Sequence, residues 1–306
     1  MKTYADQAGE FHREAAQFRN WVTADGEPGL TGIGGFKAEP GRYHLYVSLA
    51  CPWAHRTLIM RRLKRMEDMV SLSVVHWFMG ENGWTFDPAP CVVPDPVLGA
   101  STLRDVYRAA SPGYSARATV PVLWDKQQAT IVSNESADII RMFNSAFDSV
   151  GAAPGDYYPE PLRAEIDAIN DRIYRTVNNG VYRAGFATAQ PKYEAAVTEL
   201  FATLDWLEQR LATTEYLVGD RVTEADIRLF TTLIRFDAVY HGHFKCNVRR
   251  ILDHAALSQF TRRMYALPAV RDTVNFEHIK NHYYQSHKHI NPTGIVPLGP
   301  DLDYLR

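Results

Sequence analysis

The apolar and polar positions follow two different periods along the chain, and the period changes near its middle. Up to about residue 144, short apolar runs typical of strands alternate with runs of helical spacing. The predicted elements are a strand over 43–50, a helix over 54–66, a strand over 70–76, a hairpin over 120–124 and 130–132, and a helix over 135–144. This βαβ–ββα order predicts an α/β domain, and we expect Ser133 and Asn134 to cap its last helix.

Residues 79–119 show no sustained period and contain several prolines, so they are predicted to form a long irregular loop. Loops of this length usually serve a function. Pro121 stands early in a predicted strand, where a proline removes a hydrogen-bond donor. It therefore needs an edge, a first-residue position or a special geometry such as a cis peptide bond.

After the glycine- and proline-rich segment 145–162, nearly all of the chain has helical spacing. The predicted helices cover 162–178, 192–211, 224–240, 248–252 and 257–266. Thr223 and Asp226 have the spacing of a capping box. The predicted parts are an N-terminal extended arm over 1–42, an α/β domain over 43–150, an all-helical domain over 160–290 and a C-terminal coil extension over 291–306.

Length and charge exclude several classes of protein. With 306 residues, 46% of them hydrophobic, the chain is long enough for two separate cores. A formal net charge of −2 predicts no nucleic-acid partner and no attraction to an anionic membrane. No apolar run approaches the ~18 residues that span a bilayer, and the first residues lack the apolar core of a signal peptide. Three separated cysteines fit neither a disulfide framework nor a zinc site, so we expect a cytoplasmic protein.

Cys51 is the strongest candidate for a reactive group, because it stands where a predicted strand gives way to a predicted helix. The free N–H groups at a helix N-terminus lower a cysteine pKa from about 8.5 into the range of about 3.5 to 7.5. Pro52 suits the first helical turn, and His55 and Arg56 add positive charge nearby. Ala54 stands where a dithiol enzyme has its second cysteine, so an external thiol must resolve a disulfide at Cys51. The alternative is a small buried apolar residue at a strand end.

These elements and several short motifs resemble the glutathione transferase superfamily, and more closely its Xi class, the glutathionyl-hydroquinone reductases. The motifs are Cys51-Pro52-Trp53-Ala54-His55-Arg56, Gly83-Trp84, Thr119-Val120-Pro121-Val122-Leu123-Trp124-Asp125, Asn134-Glu135-Ser136, Asn179-Gly180-Val181-Tyr182, and His282-Tyr283-Tyr284-Gln285-Ser286-His287 with Ile290-Asn291-Pro292. They extend over nearly the whole chain. The resemblance implies a thioredoxin-like N-terminal domain, an all-helical C-terminal domain and a homodimer.

The resemblance also implies where glutathione, as co-substrate, is held. Pro121 would be a cis-proline facing the Cys51 thiol, and the Val120 backbone would pair with the cysteinyl part of the tripeptide. Glu135 would take the amino group of the γ-glutamyl end, and Ser136 its carboxylate. The other interpretation of Glu135 and Ser136 is a capped helix with a solvated face.

By the same resemblance, Arg117 and Trp84 would hold the rest of the tripeptide, with loop packing as an equal alternative for Trp84. Tyr182 and Tyr283 would lie over the pocket for the aromatic substrate and donate hydrogen bonds to an oxygen that gains charge. Without that context, a tyrosine in a chain with 16 of them more often packs with its hydroxyl at the surface.

Four histidines near the C-terminus are candidate metal ligands: His278, His282, His287 and His289. His278 and His282 are four residues apart on a predicted helix, a spacing that zinc sites use. No carboxylate or cysteine stands among the four, so we expect no metal. Cys91 and Cys246 lack the helix-start context and are expected to be bystanders.

The predicted reaction is glutathione-dependent reduction of glutathionyl-hydroquinones through a mixed disulfide between Cys51 and glutathione. A second glutathione would release glutathione disulfide. One alternative is a conjugating glutathione transferase, which would tolerate loss of Cys51. Another is the same thiol chemistry with other mixed disulfides or another low-molecular-weight thiol. A binding protein of the same fold would need no reactive thiol.

Overall fold

The computed structural model describes residues 4–302 and 305, which form two compact units. The sheet unit consists of Ala15–Asp156 and Thr273–His278. The helical unit consists of Met1–Glu14, Tyr157–Asp272 and Ile279–Arg306, as far as these are described. The segment predicted to be one arm, 1–42, is thus divided between the two units, and the other domain limits stay predictions.

The sheet unit contains a four-stranded sheet in the order β2–β1–β3–β4. Its strands are β1 (Tyr43–Val47), β2 (Val70–Val74), β3 (Val122–Asp125) and β4 (Thr130–Ser133), and its helices are α1 (Pro52–Leu63), α2 (Leu103–Ala110) and α3 (Ser136–Ser145). β1 pairs with β2 in parallel, as a crossover through α1 requires, and with β3 in antiparallel orientation. All five residues of β1 are buried, as expected of a central strand. The predicted α/β fold is confirmed.

Helix α2 contradicts the prediction that residues 79–119 are irregular throughout. Thr102 caps this helix: its Oγ1 accepts a hydrogen bond from Asp105 N at 3.3 Å, and Asp105 Oδ2 accepts one from Thr102 N at 3.0 Å. The capping box was present in the sequence. The helix was missed because its eight residues are too few for a sustained apolar period.

The expected cap of α3 was also wrong. Glu135, rather than Ser133 or Asn134, is the N-cap, and its Oε1 accepts from Ala137 N at 3.0 Å. Asn134 Oδ1 instead accepts from Phe18 N at 3.1 Å. The Asn134 side chain is therefore bonded to a segment more than 100 positions away along the chain, and not to the N-terminus of α3 as predicted.

The helical character predicted for the rest of the chain is confirmed, although the helices Gly180–Phe186 and Pro268–Arg271 lie outside the predicted ranges. Its helices are α4 (Arg163–Ile173), α5 (Gly180–Phe186), α6 (Gln190–Leu211), α7 (Glu224–Arg235), α8 (Ala255–Ala266), α9 (Pro268–Arg271) and α10 (Phe276–Ser286). α4 and α7 continue into π turns, at Tyr174–Asn178 and Phe236–Tyr240. The helix predicted over 248–252 was wrong, since that region contains the 3₁₀ turn Ile251–Asp253.

The capping box at the start of α7 is confirmed, because Asp226 Oδ2 accepts from Thr223 N at 2.8 Å.

Residues 291–302 contain neither helix nor strand. Of the rest of the predicted C-terminal extension, only residue 305 is among the described residues. Within the described part of the chain, no helix has both the length and the apolar character that crossing a bilayer demands.

Candidate active site

Cys51 is the N-cap residue of α1, and Pro52 occupies the first helical position. The backbone of Cys51 is extended, its side chain is partly exposed, and the thiol does not cap the helix. The first N–H groups of α1 lack partners within the helix, so they present positive potential at this end. The strand–Pro–helix context predicted from the sequence is therefore present.

The peptide bond between Val120 and Pro121 is cis, as the resemblance implied, and directly precedes β3. Because β1 and β3 are antiparallel neighbours, with Tyr46 opposite Val122, the end of β1 and the start of β3 lie side by side. This pairing brings Val120 to the thiol: Cys51 Sγ lies 3.7 Å from the Val120 carbonyl oxygen.

Glu135 and Ser136 open α3 beside α1. Ser136 is 3% exposed, and its Oγ accepts from Arg56 Nη1 at 3.4 Å. The Arg56 guanidinium also lies 4.5 Å from the centroid of the Trp53 ring. Arg56 therefore places positive charge at the start of α3, where an anionic ligand would gain from it.

Arg19 and Asp138 form a further charged pair in the first turn of α3, with Arg19 Nη2 donating to Asp138 Oδ1 at 3.0 Å. Burial raises the pKa of Asp138, and its bond with Arg19 acts in the opposite direction. No pattern in the sequence predicted this pair, because the two residues are 119 positions apart.

Tyr107, on α2, was likewise missed. Its hydroxyl donates to Thr119 O at 2.8 Å and accepts from Asn134 Nδ2 at 3.1 Å. Thr119 precedes Val120, and Asn134 precedes Glu135. One buried hydroxyl thus joins the two loops that carry the expected glutathione contacts, and burial raises its pKa to about 12.

The structure also places Trp84, Arg117 and His55 in the sheet unit. Trp84 is buried, and its carbonyl accepts from Leu103 N at 2.9 Å at the start of α2. Arg117 is exposed. His55 is fully buried, with Nε2 2.8 Å from Thr273 Oγ1, so it is a packing residue rather than a solvent-facing charge. The tripeptide contacts of Trp84 and Arg117 stay predictions.

Within the helical unit, the hydroxyl oxygens of Tyr182 on α5 and Tyr283 on α10 lie 2.6 Å apart. Tyr182 is 9% exposed and Tyr283 1% exposed. Burial raises the pKa of Tyr283 well above its ordinary value, so it remains a hydrogen-bond donor at neutral pH. The structure brings these two residues together as a buried pair of hydroxyl groups.

The histidines near the C-terminus have protein contacts: His278 Nε2 lies 2.7 Å from Pro90 O, and His287 Nδ1 lies 3.2 Å from His243 Nε2. Over residues 4–302 and 305, no three histidine, cysteine or acidic side chains are grouped to hold a metal ion. Of the remaining cysteines, Cys91 is exposed. Cys246 is buried, and burial raises the pKa of its thiol.

Comparison with known proteins identifies both halves of the chain. Residues 50–146 match the glutathione S-transferase N-terminal domain, and residues 190–264 match the glutathione S-transferase C-terminal domain.

The similar curated proteins include two glutathionyl-hydroquinone reductases. YqjG of Escherichia coli is 60% identical over 298 residues, which are 96% of this chain and 91% of YqjG. PcpF of Sphingobium chlorophenolicum is 58% identical over 292 residues, which are 95% of this chain and 90% of PcpF.

Solved structures agree with these matches. The glutathione-bound structure of YqjG superposes with a TM-score of 0.92 over 94% of each chain, at 60% identity. The Xi glutathione transferase of Phanerochaete chrysosporium has a TM-score of 0.92 and 52% identity, over 98% of this chain and 95% of its own. The chain therefore belongs to the glutathione transferase family, and within it to the Xi class of the glutathionyl-hydroquinone reductases.

Proposed function

We propose that this protein is an enzyme that uses glutathione to reduce glutathionyl-hydroquinones to hydroquinones, with Cys51 as the nucleophile. The observation that carries the proposal is the partly exposed thiol at the N-cap of α1, 3.7 Å from the carbonyl that precedes the cis-proline. The two named reductases, at 60% and 58% identity over nearly the whole chain, support the same substrate class. Glutathione is the co-substrate, and no metal takes part.

In the first step the Cys51 thiolate attacks the glutathione sulfur of the substrate in its keto tautomer. A sulfur–sulfur bond forms and the carbon–sulfur bond breaks. The released electron pair passes into the ring and reaches the carbonyl oxygen, which becomes a phenolate. Tyr182 and Tyr283 donate hydrogen bonds to this oxygen as its charge grows, and protonation then gives the hydroquinone.

In the second step a glutathione thiolate attacks the glutathione sulfur of the mixed disulfide and displaces the Cys51 thiolate. The proton that this glutathione loses balances the one that the phenolate gains. Glutathione disulfide leaves, and the kinetics are ping-pong. Ala54, which stands in place of a resolving cysteine, makes the external thiol necessary.

The sheet unit is proposed to bind the tripeptide. The Val120 backbone pairs with its cysteinyl part next to Pro121, and Trp84 and Arg117 hold the rest. Glu135 and Ser136 receive the γ-glutamyl end. Support comes from the position of Ser136 at the start of α3, within hydrogen-bond distance of the Arg56 guanidinium.

Intact-protein mass spectrometry tests the proposal. The reduced enzyme is mixed with one equivalent of a glutathionyl-hydroquinone, without free glutathione. We expect one glutathionyl adduct and release of the hydroquinone. Cys51→Ser should form no adduct, whereas Cys91→Ser, which removes another exposed thiol, should behave like the wild type.

Two other results of this experiment would change the proposed function. Absence of the adduct in the wild type, with conjugation of glutathione to an electrophile persisting in Cys51→Ser, would assign the protein to the conjugating transferases. An adduct with a different low-molecular-weight thiol, formed faster than with glutathione, would keep the mechanism and change the co-substrate.

We further propose that the protein is a cytoplasmic homodimer. The reaction requires Cys51 to return to the thiol state, which a reducing compartment favours. Sedimentation velocity should give twice the chain mass of 34.7 kDa.

A further inference from the structure

The segment around Arg19 runs along the edge of β4, the strand that leads into α3. On one side of Arg19, Phe18 O accepts a hydrogen bond from Asn134 N at 3.1 Å. On the other side, Asn20 N donates to Val132 O at 2.9 Å. Backbone bonds on both sides therefore fix the place of Arg19 within the sheet unit, next to the start of α3.

The side chain of Arg19 reaches into the first turn of α3. Its Nη2 donates to Asp138 Oδ1 at 3.0 Å, and its Nε donates to Asp138 Oδ2. Two parallel bonds between a guanidinium and a carboxylate hold both groups in one orientation. The Asp138 side chain is 9% exposed and the Arg19 side chain 41% exposed. The pair thus joins the N-terminal segment to α3 with its negative member buried.

The start of α3 contains two carboxylates, because Glu135 is the N-cap and Asp138 lies three residues further on. A helix N-terminus has the equivalent of only about half a positive charge. The γ-glutamyl end of glutathione would add a third carboxylate there. Positive charge is therefore needed beside α3, and Arg56, bonded to Ser136 Oγ, supplies one such group.

Arg19 supplies the second positive charge at this end of α3. The pKa of Arg19 is raised above its ordinary value, chiefly by the hydrogen bonds to Asp138 and in smaller part by the charges of Asp138 and Glu135. The guanidinium is thus close enough to act on both carboxylates of the first turn. Without it, Asp138 would repel an incoming carboxylate.

We propose that Arg19 is a positioning residue for glutathione, which offsets the charge of Asp138 so that the start of α3 can take the γ-glutamyl carboxylate. The inference rests on the proposed function, because it takes Glu135 and Ser136 as the contacts of the γ-glutamyl end. Arg19 acts through Asp138, and no covalent step is added to the reaction.

A double-mutant cycle tests this role. Glutathione is titrated calorimetrically into the full-length protein in a Cys51→Ser background, at pH 8, far above the ordinary pKa of a carboxyl group. We expect Arg19→Gln to weaken binding by about tenfold, because the Asp138 charge is then not offset. Asp138→Asn, and the double variant Arg19→Gln with Asp138→Asn, should both bind within about threefold of the background protein, since a neutral amide does not repel the ligand.

Recovery of affinity in the double variant is the result that a structural role would not produce. A double variant that binds as weakly as Arg19→Gln overturns the inference, and so does an unchanged affinity in Arg19→Gln. A loss of about tenfold in Asp138→Asn alone would mean that Asp138 itself holds the ligand, which overturns the inference as well. Arg19→Lys, which keeps the charge, should recover most of the affinity.

Arg42→Gln is the matched control, because Arg42 and Asp125 form another paired guanidinium and carboxylate, with Nε 3.0 Å from Oδ1. This pair lies at the start of β1, where Tyr43 is opposite Asp125, whereas Cys51 follows the other end of the strand. Arg42→Gln should lower the free energy of unfolding and leave glutathione affinity within about twofold. An equal loss of affinity in Arg42→Gln and Arg19→Gln would show a general effect of losing a buried pair and overturn the inference.

The titrations also separate the inference from the proposed function. If the Cys51→Ser protein binds glutathione and the double variant shows no recovery, only the inference fails. If the Cys51→Ser protein binds no glutathione, the co-substrate of the proposed function is wrong and the inference falls with it.

Discussion

At the scale of single residues, Tyr107 has more influence on the proposed glutathione site than its position suggests. It lies on α2, yet its hydroxyl bonds to Thr119 and Asn134, one residue before Val120 and Glu135. A buried hydroxyl with several partners stabilises each of them, and its loss leaves their polar groups unpaired. The positions of two loops therefore depend on one phenol.

Replacing Tyr107 with Phe should weaken glutathione binding by about threefold to tenfold and destabilise the fold by about 1–2 kcal/mol, because buried polar groups lose their partner. Calorimetric titration of glutathione in a Cys51→Ser background measures the affinity. Tyr43→Phe is the control, since the Tyr43 hydroxyl is bonded to Lys37 O, away from both loops. Equal losses of affinity in the two variants would show that Tyr107 has no particular role.

At the scale of elements, α5 and the region around Phe244 approach so closely that only glycine fits between them. A Cβ atom at Gly185 would lie 2.2 Å from the Phe244 ring, whereas one at Gly180 would lie 3.7 Å from the nearest atom, Leu200 Cβ. Phe244 stacks on Tyr240, whose hydroxyl oxygen lies 2.9 Å from that of Tyr283, so this contact helps to position the buried tyrosines. The close approach therefore requires a glycine at position 185, whereas position 180 has room for a Cβ atom.

We expect Gly185→Ala to lower the free energy of unfolding by about 1–3 kcal/mol, because the added methyl group displaces the Phe244 ring. Gly180→Ala should leave stability unchanged or raise it by up to about 1 kcal/mol, since alanine favours the helix. Urea unfolding followed by circular dichroism measures both. A stabilised Gly185→Ala would contradict the close approach.

At the scale of the whole molecule, the pH dependence of stability has a source in Asp226. Its carboxylate accepts from Leu217 N at 2.8 Å, from Thr223 N at 2.8 Å and from Thr223 Oγ1 at 2.9 Å. These bonds favour the charged form. Burial opposes them more strongly and raises the pKa of Asp226 from 3.8 to about 6.

Since this pKa is higher in the folded state, the folded protein binds the proton more tightly, and the resulting stability is present at low pH and lost as pH rises. Between pH 4 and pH 7 we expect the wild type to lose on the order of 2 kcal/mol relative to Asp226→Asn, which does not titrate. Urea unfolding of both proteins over this range measures the difference. A difference that does not vary with pH would contradict the assignment.

Some local patterns in the sequence predicted the structure correctly, whereas no pattern predicted the contacts between residues far apart along the chain. Cys51 at a helix start followed from its neighbour Pro52 and the change from strand to helical period. The pairing of Asn134 with Phe18 left no such trace, because residues far apart in the chain share no periodic pattern. The same holds for Arg19 with Asp138.

The sequence by itself determined the order of the four strands, the capping box of α7 and the place of the thiol, since each depends on residues within a few positions of one another. Only the tertiary structure decided that Glu135 caps α3 and that Tyr240 joins Tyr182 and Tyr283. Tyr182 and Tyr283 are 101 positions apart, and it is the burial of apolar side chains around them that brings their hydroxyl groups together.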